Sequence, residues 1–190
     1  MFSFPSRPRE SLSPELQQQW DRSVERRGEA KFVGAAAHAP EIFQWYSERF
    51  YGDLFYRGRV ATRYKELGRL RLSTLHGCRS CNRGNRLDAI EAGISEAQIN
   101  AIDDIVGGPF DDAERAVLKL AEVIAITAPD GRLDEPLYNE LREHFDEAQI
   151  FEMGFVFGML AGVAKFLFVY DIAENRLHVQ KAALVMLLCK

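Results

Sequence analysis

Within the run HGCRSCNRGN, from His76 to Asn85, lie two of the chain's three cysteines, Cys78 and Cys81, in a C-x-x-C spacing. That spacing fits a redox pair, two inert buried thiols or half of a metal site. If Cys78 opens a helix, Cys81 lies one turn on and Asn85 one turn beyond, so all three share a face. The free N–H groups and positive dipole end of a helix N-terminus stabilise thiolate over thiol. Five arginines fall between positions 69 and 86: Arg69, Arg71, Arg79, Arg83 and Arg86. Any of them aimed at the pair lowers a thiol pKa further; guanidinium forks also match the carboxylate of a small acidic substrate. A structural zinc site takes four cysteine or histidine ligands. Beyond the pair only Cys189 and four histidines remain, none of them forming a second pair at ligand spacing, so no metal is expected. His76 reads as a helix C-cap residue directed at terminal carbonyls. Glu66, in KELGR, reads on spacing alone as a solvated glutamate pairing with Arg63 or Arg69.

The elements that must position these groups read as helices. Ser13-Pro14 is a cap followed by a proline at the first helical position. Pro40 opens a second helix whose aromatics recur at helical spacing, and a third runs from about Arg59 to Leu75. Capping-box patterns stand at Ser95/Gln98, Asp111/Glu114 and Asp146/Gln149. Gly93, Gly107-Gly108-Pro109 and Pro129-Asp130-Gly131 mark turns. No stretch alternates as a strand does, and the expected class is all-α. The tail AALVMLLCK fits a helix or a strand.

Composition bounds the rest. The chain has 190 residues, 47% of them hydrophobic, and a net charge of −4. That suits a soluble domain without overall attraction to nucleic acid. The apolar run Ile150–Tyr170 is interrupted by Glu152 and Lys165. Its twelve uncharged residues from Met153 to Ala164 fall short of the roughly 18 that a membrane span needs, so no membrane partner is expected. Gly154, Gly158 and Gly162 form a smooth strip for tight helix packing in a core or at a subunit contact, and Lys165 reads as a snorkelling surface lysine. With three cysteines and no apolar leader among the first fifteen residues, a cytoplasmic protein with reduced resting thiols is expected.

The run KELGRLRLSTLHGCRSCNRGNRLDAIEAGISEAQINAI resembles the signature of the alkylhydroperoxidase D-like and carboxymuconolactone decarboxylase superfamily. In that superfamily's thiol-peroxidase branch a glutamate precedes the C-x-x-C, a histidine lies four residues after the second cysteine, and a glycine-bounded helix follows. The resemblance implies an all-α helical bundle over residues 40–175, with an N-terminal helical extension (1–39) and a C-terminal apolar tail (176–190). It also implies a homo-oligomer, no cofactor, and peroxiredoxin-like reduction of peroxides with a dithiol as electron donor. Carried over residue by residue, Cys81 is the peroxide-attacking thiol, Cys78 resolves it as a disulfide, and Glu66 moves protons. Asn85 stands at the histidine position, and Ser80 where some members have a second histidine. Asparagine hydrogen-bonds but takes no proton near neutral pH, so the resemblance implies a slower thiol reaction. His76 and Arg69 are expected to line the site with Asn85 and Ser80. Two rival functions stay open: a cofactor-free lyase or decarboxylase acting on a small carboxylated compound, and a non-catalytic binding protein on the same scaffold.

Overall fold

The computed structural model describes residues 2–173; the apolar tail singled out above, with Cys189, lies outside them. Every element of the described chain is helical: α1 (Pro14–Arg27), α2 (Lys31–Ala36), α3 (Pro40–Trp45), α4 (Thr62–Leu75), α5 (Arg79–Glu91), α6 (Glu96–Asn100), α7 (Asp112–Ile124), α8 (Glu135–Arg142) and α9 (Glu147–Val169), with a short 3-10 turn at Arg9–Ser11. The expected caps form. Ser13 accepts from the Leu16 N–H, and reciprocal capping boxes join Ser95 to Gln98, Asp111 to Glu114 and Asp146 to Gln149. After Trp45 the chain does not continue as an α-helix; Tyr46–Phe55 winds as a π-helix.

α4 is the axis of the fold, packed against α5, α7 and α9. One apolar core gathers Phe50, Phe55, Leu72, Val117, Met153 and Phe157 on one side of it. A second gathers Leu67, Leu70, Ile94, Ile99 and Leu118 on the other. A helix enclosed in this way buries its polar residues too, and each buried charge then needs a partner. Lys65 donates to Glu152 Oε1 (3.1 Å) and to the Leu54 carbonyl (2.9 Å). The same Glu152 carboxylate accepts from the backbone N–H groups of Arg59 and Val60. Arg71 reaches Asp103 and Glu122.

α9 is the one helix among the described residues long and apolar enough to cross a membrane by length and composition. It sinks Met153, Val156, Phe157 and Ala161 into the protein. Of the two placements expected for its glycine strip, a core or a subunit contact, the first does not hold. Cβ atoms built at Gly154, Gly158 and Gly162 meet nothing within 4 Å, so the strip does not pack in the core formed by the described residues. It faces outward beside Phe151 (76% exposed), Phe155 and Val169. Lys165 is exposed as expected, and the buried carboxylate of α9 pairs instead with Lys65.

Candidate active site

The turn from α4 to α5 places the cysteine pair. Gly77 takes a left-handed φ of 67°, which costs glycine little and a side-chain-bearing residue more. Asn82 hydrogen-bonds the hydroxyls of Ser73 (3.2 Å) and Thr74 (3.1 Å), tying the first turn of α5 to the end of α4. Cys78 is the N-cap of α5, and its Sγ accepts the Cys81 N–H at 3.3 Å. The two cysteines are joined as a disulfide with their Cα atoms 5.3 Å apart, where reduced resting thiols were expected. The C-x-x-C spacing at a helix start brings the two sulfurs within bonding reach. Cys78 is 1% exposed, whereas Cys81 is only partly buried.

The pair borders a cavity of about 440 Å³. Ser80, Asn85 and Asp88 continue the α5 wall, with Arg69, Leu72, Ser73 and His76 beside them. Tyr46, Ser47 and Tyr51 come from the π-helix, Leu160, Val163 and Leu167 from α9, and Arg22, Arg26 and Arg27 from α1. Of the expected site residues, Cys78, Cys81, Arg69, His76, Ser80 and Asn85 therefore meet at one cavity. Glu66 is not among the residues that line it.

Glu66 is not a solvated residue. It is 1% exposed and sits 2.6 Å from the Arg69 guanidinium, which also reaches Asp88. Burial pushes its carboxyl up to about 7; the Asp88 charge adds to this, and the Arg69 charge opposes it. Arg63, the other partner expected for it, pairs with Glu114. The reason is the enclosure of α4: its polar stripe faces helices rather than water.

His76 also departs from expectation. It caps α4, but its ring does not serve terminal carbonyls; Nε2 accepts the Ile126 N–H at 3.1 Å. Burial lowers its pKa to about 4, and an accepting Nε2 belongs to the neutral ring. Of the five arginines near the pair in sequence, only Arg69 lines the cavity; Arg71 turns to Asp103 and Glu122, and Arg86 to Asn100. The residues sequence reasoning missed are Arg26, Arg27, Tyr46, Tyr51 and Asp88. A signal existed for one of them: Gly84, inside α5, marks a close approach by another element. Among the described residues no group of three or more His, Cys, Asp and Glu side chains could hold a metal ion.

Residues 40–128 match the Carboxymuconolactone decarboxylase family. A curated relative, the uncharacterized protein YdfG of Bacillus subtilis, is 32% identical over 90 residues, which are 47% of this chain and 60% of that protein. The chain thus spans less than two thirds of that relative's length. Among solved structures, the alkylhydroperoxidase AhpD core of an uncharacterized peroxidase-related protein from Ralstonia eutropha JMP134 superposes with a TM-score of 0.70 at 14% identity, covering 91% of this chain and 92% of that one. The debrominase Bmp8, as a variant in complex with 2,3,4-tribromopyrrole, superposes with a TM-score of 0.70 at 16% identity, covering 93% of each chain. The chain therefore has the all-helical alkylhydroperoxidase D-like fold over nearly its whole described length, and its middle is similar to the Carboxymuconolactone decarboxylase family.

Proposed function

We propose that the protein is a dithiol–disulfide oxidoreductase of the peroxidase type. The observation that carries the reading is a C-x-x-C pair bordering a cavity, with Cys81 the more accessible sulfur and Cys78 buried beside it as the N-cap of the same helix. In the reduced state the Cys81 thiolate, favoured by the helix N-terminus, attacks the outer oxygen of a hydroperoxide. The O–O bond breaks, the sulfur is oxidised to a sulfenic acid, and the alkoxide leaves as an alcohol after taking a proton. The Cys78 thiolate then attacks the sulfenic sulfur, forming the disulfide and releasing water. An external dithiol returns both electrons and both protons. Glu66, with its pKa near 7, is partly protonated at neutral pH; it stands behind the lining beside Arg69 and does not itself touch the leaving oxygen. Asn85 supplies a hydrogen-bonding group but no base, which keeps the rate low.

The experiment is a thiol count. Reduced protein treated with tert-butyl hydroperoxide should lose two thiols per chain, those of Cys78 and Cys81, and regain them with a dithiol. An unchanged count overturns the reading.

A second reading, a cofactor-free lyase acting on a small carboxylated compound, is favoured by the arginines at the cavity and by the family match. Disappearance of such an acid without any change in the thiol count would move it ahead.

A further inference from the structure

From the pairing of the charges around the cavity, we infer that Arg27 is an anchor for the anionic group of an otherwise apolar, aromatic-bodied ligand. This rests on reading the cavity as the reactive site and names the class of molecule that enters it.

Four arginines line the cavity, Arg22, Arg26, Arg27 and Arg69, against two carboxylates, Glu29 and Asp88. The carboxylates are engaged. Asp88 is bridged by Arg26 and Arg69, and Glu29 accepts the Lys31 N–H at 2.7 Å. Arg26 and Arg69 are charge-paired by the same contacts, with Glu91 and Glu66 as second partners. Arg27 differs from these two, because its side chain makes no hydrogen bond or ion pair with any described residue; Arg22 also makes none but is exposed. Nor is Arg27 a side chain trailing in water. It is half-buried, and its stem and head lie across Gly84, where an added Cβ would come within 3.0–3.1 Å of its Cγ, Cζ and Nη1. Burial raises the pKa of both Glu66 and Tyr46, and the Arg27 charge reaches inward far enough to oppose that rise slightly. A guanidinium held in place, partly desolvated and without an anion has the geometry of a carboxylate receptor. The last turn of α1 accounts for a cation at this end of the helix, but not for one seated over Gly84 with no ion-pair partner among the described residues.

The remaining lining sets the body of the ligand. Phe32, Phe43, Tyr46 and Tyr51 line the cavity together with Leu160 and Val163. Apolar and aromatic walls with few convergent polar groups bind a hydrophobic body and orient it by its charge. The class is therefore an aromatic or long-chain carboxylic acid, or its hydroperoxide, with the carboxylate at Arg27 and the body along the tyrosines toward Cys81.

The test uses the disulfide form, so that binding is scored without thiol chemistry; failure here leaves the thiol count to judge the redox reading separately. 4-Phenylbutyrate and the uncharged 4-phenylbutanol are titrated by calorimetry. The acid should bind about tenfold more tightly than the alcohol, the scale of one charge-assisted bidentate contact. Arg27→Gln should abolish that preference, and Arg27→Lys should keep part of it. A second measurement needs no variant: phenylglyoxal labelling at Arg27, mapped by mass spectrometry, should be slowed by the acid and not by the alcohol. Equal affinities in the wild type, no binding of either probe, or a preference that survives Arg27→Gln overturns the inference.

Discussion

Glu66 and Arg69 stand one turn apart on α4, a carboxylate oxygen 2.6 Å from a guanidinium nitrogen, with both residues buried. The contact is an ion pair out of hydrogen-bonding alignment. Glu66 Oε2 and Arg69 Nε have no hydrogen-bond partner among the described residues. The carboxylate is thus stripped of water without full compensation, which is why burial dominates its pKa.

That arrangement makes stability depend on pH in a stated direction. Below about 4.5 the Glu66 carboxyl is protonated in both folded and unfolded chains. Between 4.5 and about 7 the unfolded chain releases the proton and the folded one keeps it, so stability falls as pH rises, by about 3 kcal/mol in total. His76 acts in the opposite direction. Its pKa drops from 6.5 to about 4 on folding, so its contribution is present above 6.5 and is lost as pH falls toward 4. The two slopes oppose one another between 4.5 and 6.5. Urea denaturation of Glu66→Gln should then show stability rising with pH across that window, and His76→Gln should show it falling. Parallel profiles for both variants and the wild type would remove the assignment.

The reduced thiols should not be equivalent. Cys81 occupies the first turn of α5 and is partly open to the cavity; Cys78 is buried. With iodoacetamide, Cys81 should alkylate faster than Cys189, and its rate should titrate below the free thiol value of about 8.5. Matching rates at the two positions from about pH 6 to 9, against that free value, would leave no reason to treat the pair as activated.

Asn85 is buried on the cavity wall beside the pair. Asn85→His should restore a proton-transfer group there and raise hydroperoxide turnover about tenfold to 10²-fold, the lower range for a positioned acid or base. The gain should vanish when Cys81→Ser is added. A folded Asn85→His protein with flat turnover would favour the lyase reading.

The outward face of α9 bears on assembly. Phe151, Phe155 and Val169 stand exposed beside the open glycine strip, and an apolar patch of that kind marks an interaction surface. Light scattering should give a multiple of 21.6 kDa, and Phe155→Arg should reduce it toward the single-chain value. A wild-type mass of one chain at micromolar concentration would count against a homo-oligomer.

What was legible in the sequence was whatever depends on near neighbours along the chain. Ser13, Ser95, Asp111 and Asp146 cap their helices through contacts three residues long, and Cys78 opens α5 for the same kind of reason. What was not legible depends on enclosure or on distant partners. Lys65 and Glu152 lie 87 residues apart in sequence, and only the packing of α9 on α4 brings them together. Glu66 looked solvated because nothing local shows that α4 is surrounded. The aromatics of Tyr46–Phe55 repeat at helical spacing, yet the segment winds as a π-helix. Its wider turn sets the Tyr46 and Tyr51 rings 5.1 Å apart, so that both reach the cavity. π-helical turns are rare and concentrate at functional sites, and side-chain spacing alone does not announce them.

The cavity has two owners along the chain. Its cysteine-bearing border, from Arg69 to Asp88, falls inside the segment that carries the family match, residues 40–128. The face that meets Gly84 comes from α1, before that segment, and the apolar side around Leu160 and Val163 comes after it. Much of the cavity wall is therefore written outside the stretch that holds the sulfurs, although Phe43, Tyr46 and Tyr51 lie within it. Side chains on α1 and α9 can be exchanged to admit a different guest without a single change in the helix that holds the sulfurs.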